Sequence, residues 1–279
     1  MQQEWVSSLT RESLDCTERQ TLWRGLMVSC HLAATFLLRL PLPPLSLPIQ
    51  PGALTRAMWA FPLVGIVIGA LGAVVYAVSV SMSFTPLLAS LLAMAVITWL
   101  TGGLHEDGLA DMADSFGVLG PRVQKLAVMR DSHIGTFGVL ALGFAMAIRI
   151  AAITAVGRTG PVSVAVALLL AESLGRAAMP LATWFAPPAR PDGLGSAASA
   201  AKNNEAFISM IIAVTMAGIF ALTLLPPLRA IMIMITMIVI VRAMLSYACK
   251  HLGGHTGDVL GATGHAVSTA VLVLMTVDL

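Results

Sequence analysis

The stretch Thr101-Gly-Gly-Leu-His-Glu-Asp-Gly-Leu-Ala-Asp-Met-Ala-Asp-Ser-Phe-Gly117 concentrates acidic residues in a chain that has only fourteen of them. If residues 104–115 form a helix, Asp107, Asp111 and Asp114 stand at i, i+4 and i+7 and share one face. Three carboxylates on one face repel one another unless water screens them or a divalent cation binds between them. The stretch therefore predicts either a solvated acidic face or a site for a cation such as Mg²⁺.

The composition around this stretch is typical of a membrane protein. Hydrophobic residues make up 57% of the chain and charged residues 11%, and apolar runs of nearly bilayer-spanning length recur. We predict an all-α fold: a polytopic transmembrane helix bundle of roughly six to eight membrane segments in one domain over residues 1–279, with a polar lead-in at 1–24. The candidate spans are residues 57–80, 86–100, 135–156, 161–185, 206–225, 231–248 and 263–279.

Glycines indicate a close helix–helix contact at one place in the predicted bundle and a helix bend at another. Gly65, Gly69 and Gly72 are spaced so that a neighbouring helix can approach closely, as membrane helices do. Gly102 and Gly103 are expected to break or bend the helix just before the acidic stretch. A charged side chain at mid-bilayer costs about 2.5–3.5 kcal/mol on insertion scales. We therefore expect the acidic stretch at a headgroup-level mouth, where metal binding is favoured over a merely solvated face.

The basic residues predict the topology. With alternating spans, the loops 39–56, 105–134, 187–205 and 249–262 share one side of the membrane. These loops carry most of the loop Lys and Arg residues, so the positive-inside rule makes that side cytoplasmic. Segment 25–40 is apolar but short, and we expect it to lie in the interface or to re-enter rather than to cross.

Several other features narrow the function. Glu172 and Arg176 stand at i, i+4 inside a span, which indicates either an internal ion pair, shared with Arg149, or a substrate contact. The three cysteines have no spacing that suggests a zinc site or a disulfide framework. The sequence has no P-loop, dinucleotide fingerprint or serine elbow. A net charge of +2 gives no indication of a nucleic-acid partner.

The acidic residues suit a Mg²⁺-dependent transfer of a phosphoryl-type group. The metal would bridge a diphosphate and offset the charge on the leaving phosphate, and positioning would supply much of the rest. Asp107, Asp111 and Asp114 would form one metal-binding face, and Asp131 would close the site from the other side. Asp131 is expected at the N-terminal end of the next span, as a metal ligand first and a proton acceptor second.

The candidate substrate-binding residues are a mixed group. Arg130 lies where an anionic substrate needs counter-charge, although anchoring at the membrane surface explains it equally well. His105 is an acid/base group or a buried interfacial histidine. The glycine-rich loop that begins at Arg190 and the one at residues 253–258 have two interpretations: their backbone N–H groups bind phosphates, or the loops only connect helices. The candidates are Arg130, His105, Arg190, Gly193, Gly195, Gly254, Thr256 and Asp258.

These motifs resemble those of one family. The segments 102–114 and 129–138 are similar to the signature of the cobalamin synthases, also called adenosylcobinamide-GDP ribazoletransferases. Supporting matches run in order along nearly the whole chain. They are Phe36-Leu-Leu-Arg-Leu-Pro41, Trp59-Ala-Phe-Pro-Leu-Val-Gly65, Arg190-Pro-Asp-Gly-Leu-Gly195 and Gly253-Gly-His-Thr-Gly-Asp-Val-Leu-Gly-Ala262.

The resemblance implies a multi-helix enzyme of the bacterial inner membrane, with its active site facing the cytoplasm. A hydroxyl of α-ribazole, or of its 5′-phosphate, would attack the cobinamide-side phosphorus of adenosylcobinamide-GDP, and GMP would leave with Mg²⁺ assistance. The implied partners are these two substrates and the lipid bilayer, with no nucleic acid. A homo-oligomer and other corrinoid-pathway enzymes remain open as further partners.

The resemblance implies that the acidic positions of the family correspond to Asp107, Asp111, Asp114 and Asp131. Glu106 falls at a position that the family motif leaves variable. The chain departs from the family in its last helix, where the family shows acidic residues and this chain has His265 and Ser268. Asp258 is then the acidic candidate of the C-terminal motif.

Two alternative functions use similar residues. Alcohol phosphotransferases of phospholipid synthesis carry Asp-x-x-Asp-Gly followed by Asp-x-x-x-Asp, whereas the spacing here is Asp-Gly-x-x-Asp-x-x-Asp with Asp131 alone later. A Mg²⁺ channel or transporter would place acidic residues on several spans, whereas only Glu172 lies within one. Both alternatives are therefore less favoured than the transferase.

Overall fold

The structure, a computed structural model, describes residues 24–41, 43, 52–191, 195–196 and 204–277, so most of the predicted polar lead-in lies outside it. The described residues are helical between short connections and form no β-strand. The helices are α1 (Arg24–Leu37), α2 (Ala53–Ala57), α3 (Phe61–Ser81), α4 (Pro86–Thr101), α5 (Leu104–Gly117), α6 (Arg122–Val128), α7 (Thr136–Val156), α8 (Pro161–Phe185), α9 (Asn204–Leu224), α10 (Pro227–Leu252) and α11 (Gly257–Leu274).

The predicted polytopic helix bundle is confirmed. In the described part of the chain, five helical segments are long and apolar enough to cross a membrane: Ala53–Ser81, Thr136–Thr159, Pro161–Phe185, Pro227–Leu252 and Gly257–Leu274. A bent pair, α4 with α5, makes a sixth if it is counted as one span. Their many exposed apolar side chains, among them Val67, Phe144 and Ile235, suit a lipid environment.

The bend between α4 and α5 lies where the sequence predicted it. Gly102 and Gly103 have φ angles of 63° and 69°, in the left-handed region that glycine adopts most readily. The two helices meet at 87°. Because of this turn, α5 does not continue α4 but runs across the end of the bundle with its acidic residues.

Helix α8 is the centre of the bundle and packs against α3, α9, α10 and α11. Nearly every residue of its second half is buried. A Cβ at Gly69 of α3 would lie 2.6 Å from the carbonyl oxygen of Leu168, and one at Gly65 would collide with the Glu172 carbonyl. The close approach that was predicted for these glycines is therefore confirmed, and α8 is the helix that approaches.

The described part of helix α1 is shorter than a bilayer span. At about 1.5 Å per residue its length is roughly 21 Å, against about 30 Å for the hydrocarbon core. Its C-terminal end is buried in the bundle through Ala33 and Leu37, and the Phe36 ring stacks on Phe61 at 5.7 Å between centroids. The chain then reaches the α4–α5 bend, where the Arg39 N–H donates to the Leu100 carbonyl.

Candidate active site

A cavity of about 760 Å³ opens at the end of the bundle where α5 lies. Its walls come from four parts of the chain: the end of α1, the α4–α5 bend with α5, the loop before α7 with α7 itself, and the start of α11. The residues of these walls that carry charge are Arg39, Asp107, Asp111, Arg130, Asp131 and Asp258. Segments that are distant in sequence therefore form one polar chamber, as expected for loops on the same side of the membrane.

One wall of the cavity is acidic. Asp107 and Asp111 lie one turn apart on α5, and Asp258 joins them from the first turn of α11. Gly108 makes this possible, because a Cβ there would lie 2.7 Å from the carbonyl oxygen of Asp258. Only a residue without a side chain allows α11 to bring its carboxylate so close to α5. Asp258, predicted to bind substrate, thus shares a wall with the two α5 aspartates.

Asp114 has a different environment from the other α5 aspartates. Its Oδ2 accepts a hydrogen bond from the Gly135 N–H at 2.7 Å, and its Oδ1 accepts one from the Gly138 N–H at 2.8 Å. It therefore caps the N-terminus of α7, where unpaired N–H groups and the helix dipole favour an anion. The metal-ligand role of Asp114 stays a prediction, and these contacts favour capping.

Asp131 lies in the loop ahead of α7 and not at the helix N-terminus where we expected it, because Gly135 is the N-cap and Asp114 supplies the anion. Its Oδ1 accepts hydrogen bonds from the His133 ring at 2.7 Å and from the His133 N–H at 3.1 Å. These bonds hold the pKa of Asp131 below its ordinary value. A half-exposed carboxylate that stays ionised at neutral pH suits metal binding better than proton abstraction.

The carboxylates of the cavity fit Mg²⁺ in chemistry, since all are hard oxygen donors. They do not form a closed cage: among the described residues, no three His, Cys, Asp or Glu side chains converge on one metal-binding point. Mg²⁺ does not require such a cage, because it commonly keeps several waters and binds through one or two carboxylates and substrate phosphates. Asp107 and Asp111, with Asp131 or Asp258, would hold it.

The loop that follows α8 and the loop that precedes α11 are joined by two backbone hydrogen bonds. The Ala189 N–H donates to the His255 carbonyl at 2.7 Å, and the His255 N–H donates to the Pro187 carbonyl at 2.9 Å. Gly254 packs on this same segment, where a Cβ would lie 2.9 Å from the Ala189 nitrogen. Gly254, predicted to bind phosphate, is thus positioned by backbone packing and does not line the cavity.

Other residues of these two loops have similar structural roles. Thr256 is the N-cap of α11, and its Oγ1 accepts from the Val259 N–H at 3.2 Å. Gly195 packs against the backbone of Thr256. Arg190 lies 3.6 Å from the Asp258 carboxylate and so provides positive charge beside the acidic wall. Gly193 lies outside the described residues.

The remaining two substrate candidates differ in position. Arg130 lines the cavity beside Asp131, which is consistent with a role in binding an anion. His105 is 4% exposed and lies behind the cavity wall, so the structure favours its interpretation as a buried histidine. Arg39 also lines the cavity. It was not among the site residues predicted from the sequence, although its place in the matched segment 36–41 was a usable signal.

The buried pair predicted on α8 is confirmed as an internal ion pair. Glu172 accepts from the guanidinium groups of Arg149 on α7 and Arg176 on α8, and all three side chains are almost fully buried. The neighbouring Glu106 of α5 points away from the cavity toward His265 of α11, with 3.9 Å between Oε1 and Nε2. This group of charges joins α5, α7, α8 and α11 behind the site.

The capping role of Asp114 leads to a testable prediction. Replacing Asp114 with Ala leaves two N–H groups of α7 unpaired and should lower stability by about 0.5–2 kcal/mol, while also displacing the loop that carries Asp131. Gly138→Ala should reproduce this defect, because its Cβ would collide with the Asp114 carboxylate. Thermal unfolding in detergent and the Mg²⁺ dependence of activity are the measurements.

The matched control is Gly143→Ala on the same helix, where a Cβ would meet nothing within 4 Å. This change should leave stability unchanged or raise it slightly, since Ala favours helix. If Asp114→Ala raises the Mg²⁺ requirement while Gly138→Ala has no effect, Asp114 acts as a metal ligand and the capping interpretation is wrong.

Comparison with known proteins gives a consistent result. A family model described as cobalamin-5-phosphate synthase matches residues 29–276. An adenosylcobinamide-GDP ribazoletransferase of Bradyrhizobium diazoefficiens is 38% identical over 252 residues, which cover 90% of this chain and 94% of that protein. One of Rhizobium etli is 39% identical over 245 residues, covering 86% and 93%. No solved structure matches the chain significantly.

Proposed function

Because this chain belongs to the cobalamin-5-phosphate synthase family and is therefore an enzyme of cobalamin biosynthesis, we propose that it catalyses the reaction for which its relatives are named. Adenosylcobinamide-GDP and α-ribazole, or its 5′-phosphate, would be joined with release of GMP. The family resemblance seen in the motifs is confirmed. The dependence on Mg²⁺, the identity of the reacting atoms and the membrane side of the active site are parts of this proposal.

The observation that carries the proposal is the charge arrangement of the cavity. Asp107, Asp111 and Asp258 form an acidic wall, while Arg39 and Arg130 reach the same chamber from two other segments. Carboxylates alone would repel a diphosphate, and cations alone would bind it without activating it. Both together suit a substrate that arrives as a complex of diphosphate and divalent cation.

The proposed chemistry is a displacement at phosphorus. The ribazole hydroxyl oxygen forms a bond to the cobinamide-side phosphorus, the bond from that phosphorus to the oxygen bridging to GMP breaks, and the hydroxyl proton passes to a carboxylate. Mg²⁺, when bound, supplies charge neutralisation of the diphosphate and lowers the pKa of the hydroxyl. Asp107 and Asp111 would bind the cation of the diphosphate complex, and Arg130 would orient the phosphates.

The role of proton acceptor falls to a carboxylate of the cavity. Asp131 stays ionised through its bonds with His133, so it is a weak base and a good ligand. A hydroxyl with a lowered pKa needs only a nearby acceptor, which Asp131 provides once the substrate is in place. If the Asp131→Asn variant loses Mg²⁺ affinity together with turnover, the result supports the ligand role. Loss of the chemical step alone would support the base role.

The test of the reaction uses protein purified in detergent with adenosylcobinamide-GDP, α-ribazole and Mg²⁺. We expect GMP and the ribazole-containing corrinoid to appear in equal amounts, and neither to appear without α-ribazole. GMP release that does not depend on α-ribazole would indicate a hydrolase, and folded protein that releases no GMP with any form of ribazole would contradict the proposal.

We place the cavity on the cytoplasmic side of the inner membrane, because the loops around it carry most of the basic residues. Leu119, which is fully exposed between α5 and α6, is the probe position. In a background without native cysteines, Leu119→Cys should react with a membrane-impermeant maleimide only in inverted vesicles. Arg158→Cys, exposed at the opposite end of α7, should react only in intact spheroplasts. The reverse pattern would overturn this topology.

A further inference from the structure

The cavity contains one basic side chain whose role is still unassigned. Arg39 follows α1 and lines the chamber together with Asp107 and Asp111. Within the described ranges its guanidinium makes no ion pair or hydrogen bond with another side chain, in contrast to Arg149, Arg176 and Arg190. A guanidinium without a side-chain partner, in a cavity that is also lined by carboxylates, is suited to bind an anion that arrives together with a cation.

Arg39 is fixed in place by the α4–α5 bend. Its backbone N–H donates to the Leu100 carbonyl at 2.8 Å, at the last turn of α4. Its side chain lies flat along Gly102, because a Cβ at Gly102 would lie 2.8 Å from the Arg39 Nε and closer still to its Cγ. Gly102 therefore does more than bend the helix: it leaves the space that the Arg39 side chain occupies at the cavity wall.

From this placement we propose that Arg39 binds a phosphate of the diphosphate substrate, while carboxylates of the same cavity bind its cation. A guanidinium holds phosphate through two parallel N–H donors, which gives both affinity and orientation. The proposal rests on the proposed function, and it assigns α1 as part of the active site: this short segment ends as a substrate-binding wall.

The first test is Arg39→Gln, with Arg158→Gln at the far end of the bundle as the control for loss of one positive charge. Removing a charged hydrogen-bonding partner of a phosphate should raise the KM for adenosylcobinamide-GDP by about 10- to 100-fold. The KM for α-ribazole should stay within about threefold, since the ribazole is not the diphosphate substrate. The Kd for adenosylcobinamide-GDP, measured by equilibrium dialysis without α-ribazole, should rise in parallel.

The second test uses the two neighbouring glycines and does not depend on the fate of the Arg39 variant. Gly102→Ala and Gly103→Ala impose the same left-handed backbone strain, but a Cβ at Gly103 meets nothing within 4 Å, whereas one at Gly102 displaces Arg39. Gly102→Ala should therefore weaken substrate binding about tenfold more than Gly103→Ala.

The outcomes separate this inference from the proposed function. A wild-type enzyme that releases GMP, with an unchanged KM in Arg39→Gln, would overturn the inference and leave the function intact. Equal loss of binding in Gly102→Ala and Gly103→Ala would also overturn it, because strain alone would then explain the effect. Failure of the wild-type enzyme to release GMP would instead contradict the function.

Discussion

Asp107→Asn and Asp111→Asn are each expected to lower the rate of GMP release by about 1000-fold or more, while the protein stays folded. Charge stabilisation by a bound metal is worth several kcal/mol in the transition state, and each 1.36 kcal/mol is a factor of ten in rate. Each substitution removes a charged ligand from the acidic wall. Because it also relieves repulsion between Asp107, Asp111 and Asp258, folding should not suffer.

The measurement is turnover against Mg²⁺ concentration, with thermal unfolding in detergent as the test of folding. Glu106→Gln is the matched control: it removes one negative charge from the same helix, but at a side chain that faces His265 and not the cavity. Its turnover should fall far less than that of the other two variants. Near-normal turnover of both aspartate variants at saturating Mg²⁺ would refute the metal-binding wall.

The sequence predicted the α5 helix and its acidic face well, but not the extent of the site. Asp107, Asp111 and Asp114 do lie on one helix, and their spacing keeps them on one face of it. Seven residues also advance about 10.5 Å along a helix axis, so Asp114 is too far along to share a wall with Asp107. There it meets the N-terminus of α7, a contact 21 residues away in sequence that no local pattern indicates.

Long-range contacts account for the other differences between sequence and structure. Asp258 joins the acidic wall because Gly108 admits the backbone of α11, and Arg39 enters the cavity because Gly102 leaves room for it. A glycine in sequence indicates that something approaches closely or that the chain turns, but it does not identify the approaching segment. The apolar spans, in contrast, are visible in sequence because the bilayer imposes their length and composition.

The largest expected effect on stability comes from the ion pair at the centre of the bundle. Glu172 is 1% exposed and accepts from both Arg149 and Arg176. Glu172→Gln leaves two buried guanidinium groups without their counter-charge, and removing one partner of a buried pair costs about 3–5 kcal/mol. We therefore expect a loss of this size in the free energy of unfolding, measured by titration with a denaturing detergent.

The neighbouring Ser173→Ala is the control, because its buried hydroxyl has no hydrogen-bond partner among the described residues and its removal should change stability little. A triple replacement, Arg149→Met with Glu172→Leu and Arg176→Met, should recover most of the loss, since apolar substitutes for a whole buried ionic group are often neutral or stabilising. If Glu172→Gln is as stable as the wild type, the two arginines have other partners and the ion pair does not hold α7 to α8. If the triple variant is as unstable as the single one, packing volume and not charge compensation is what Glu172 contributes.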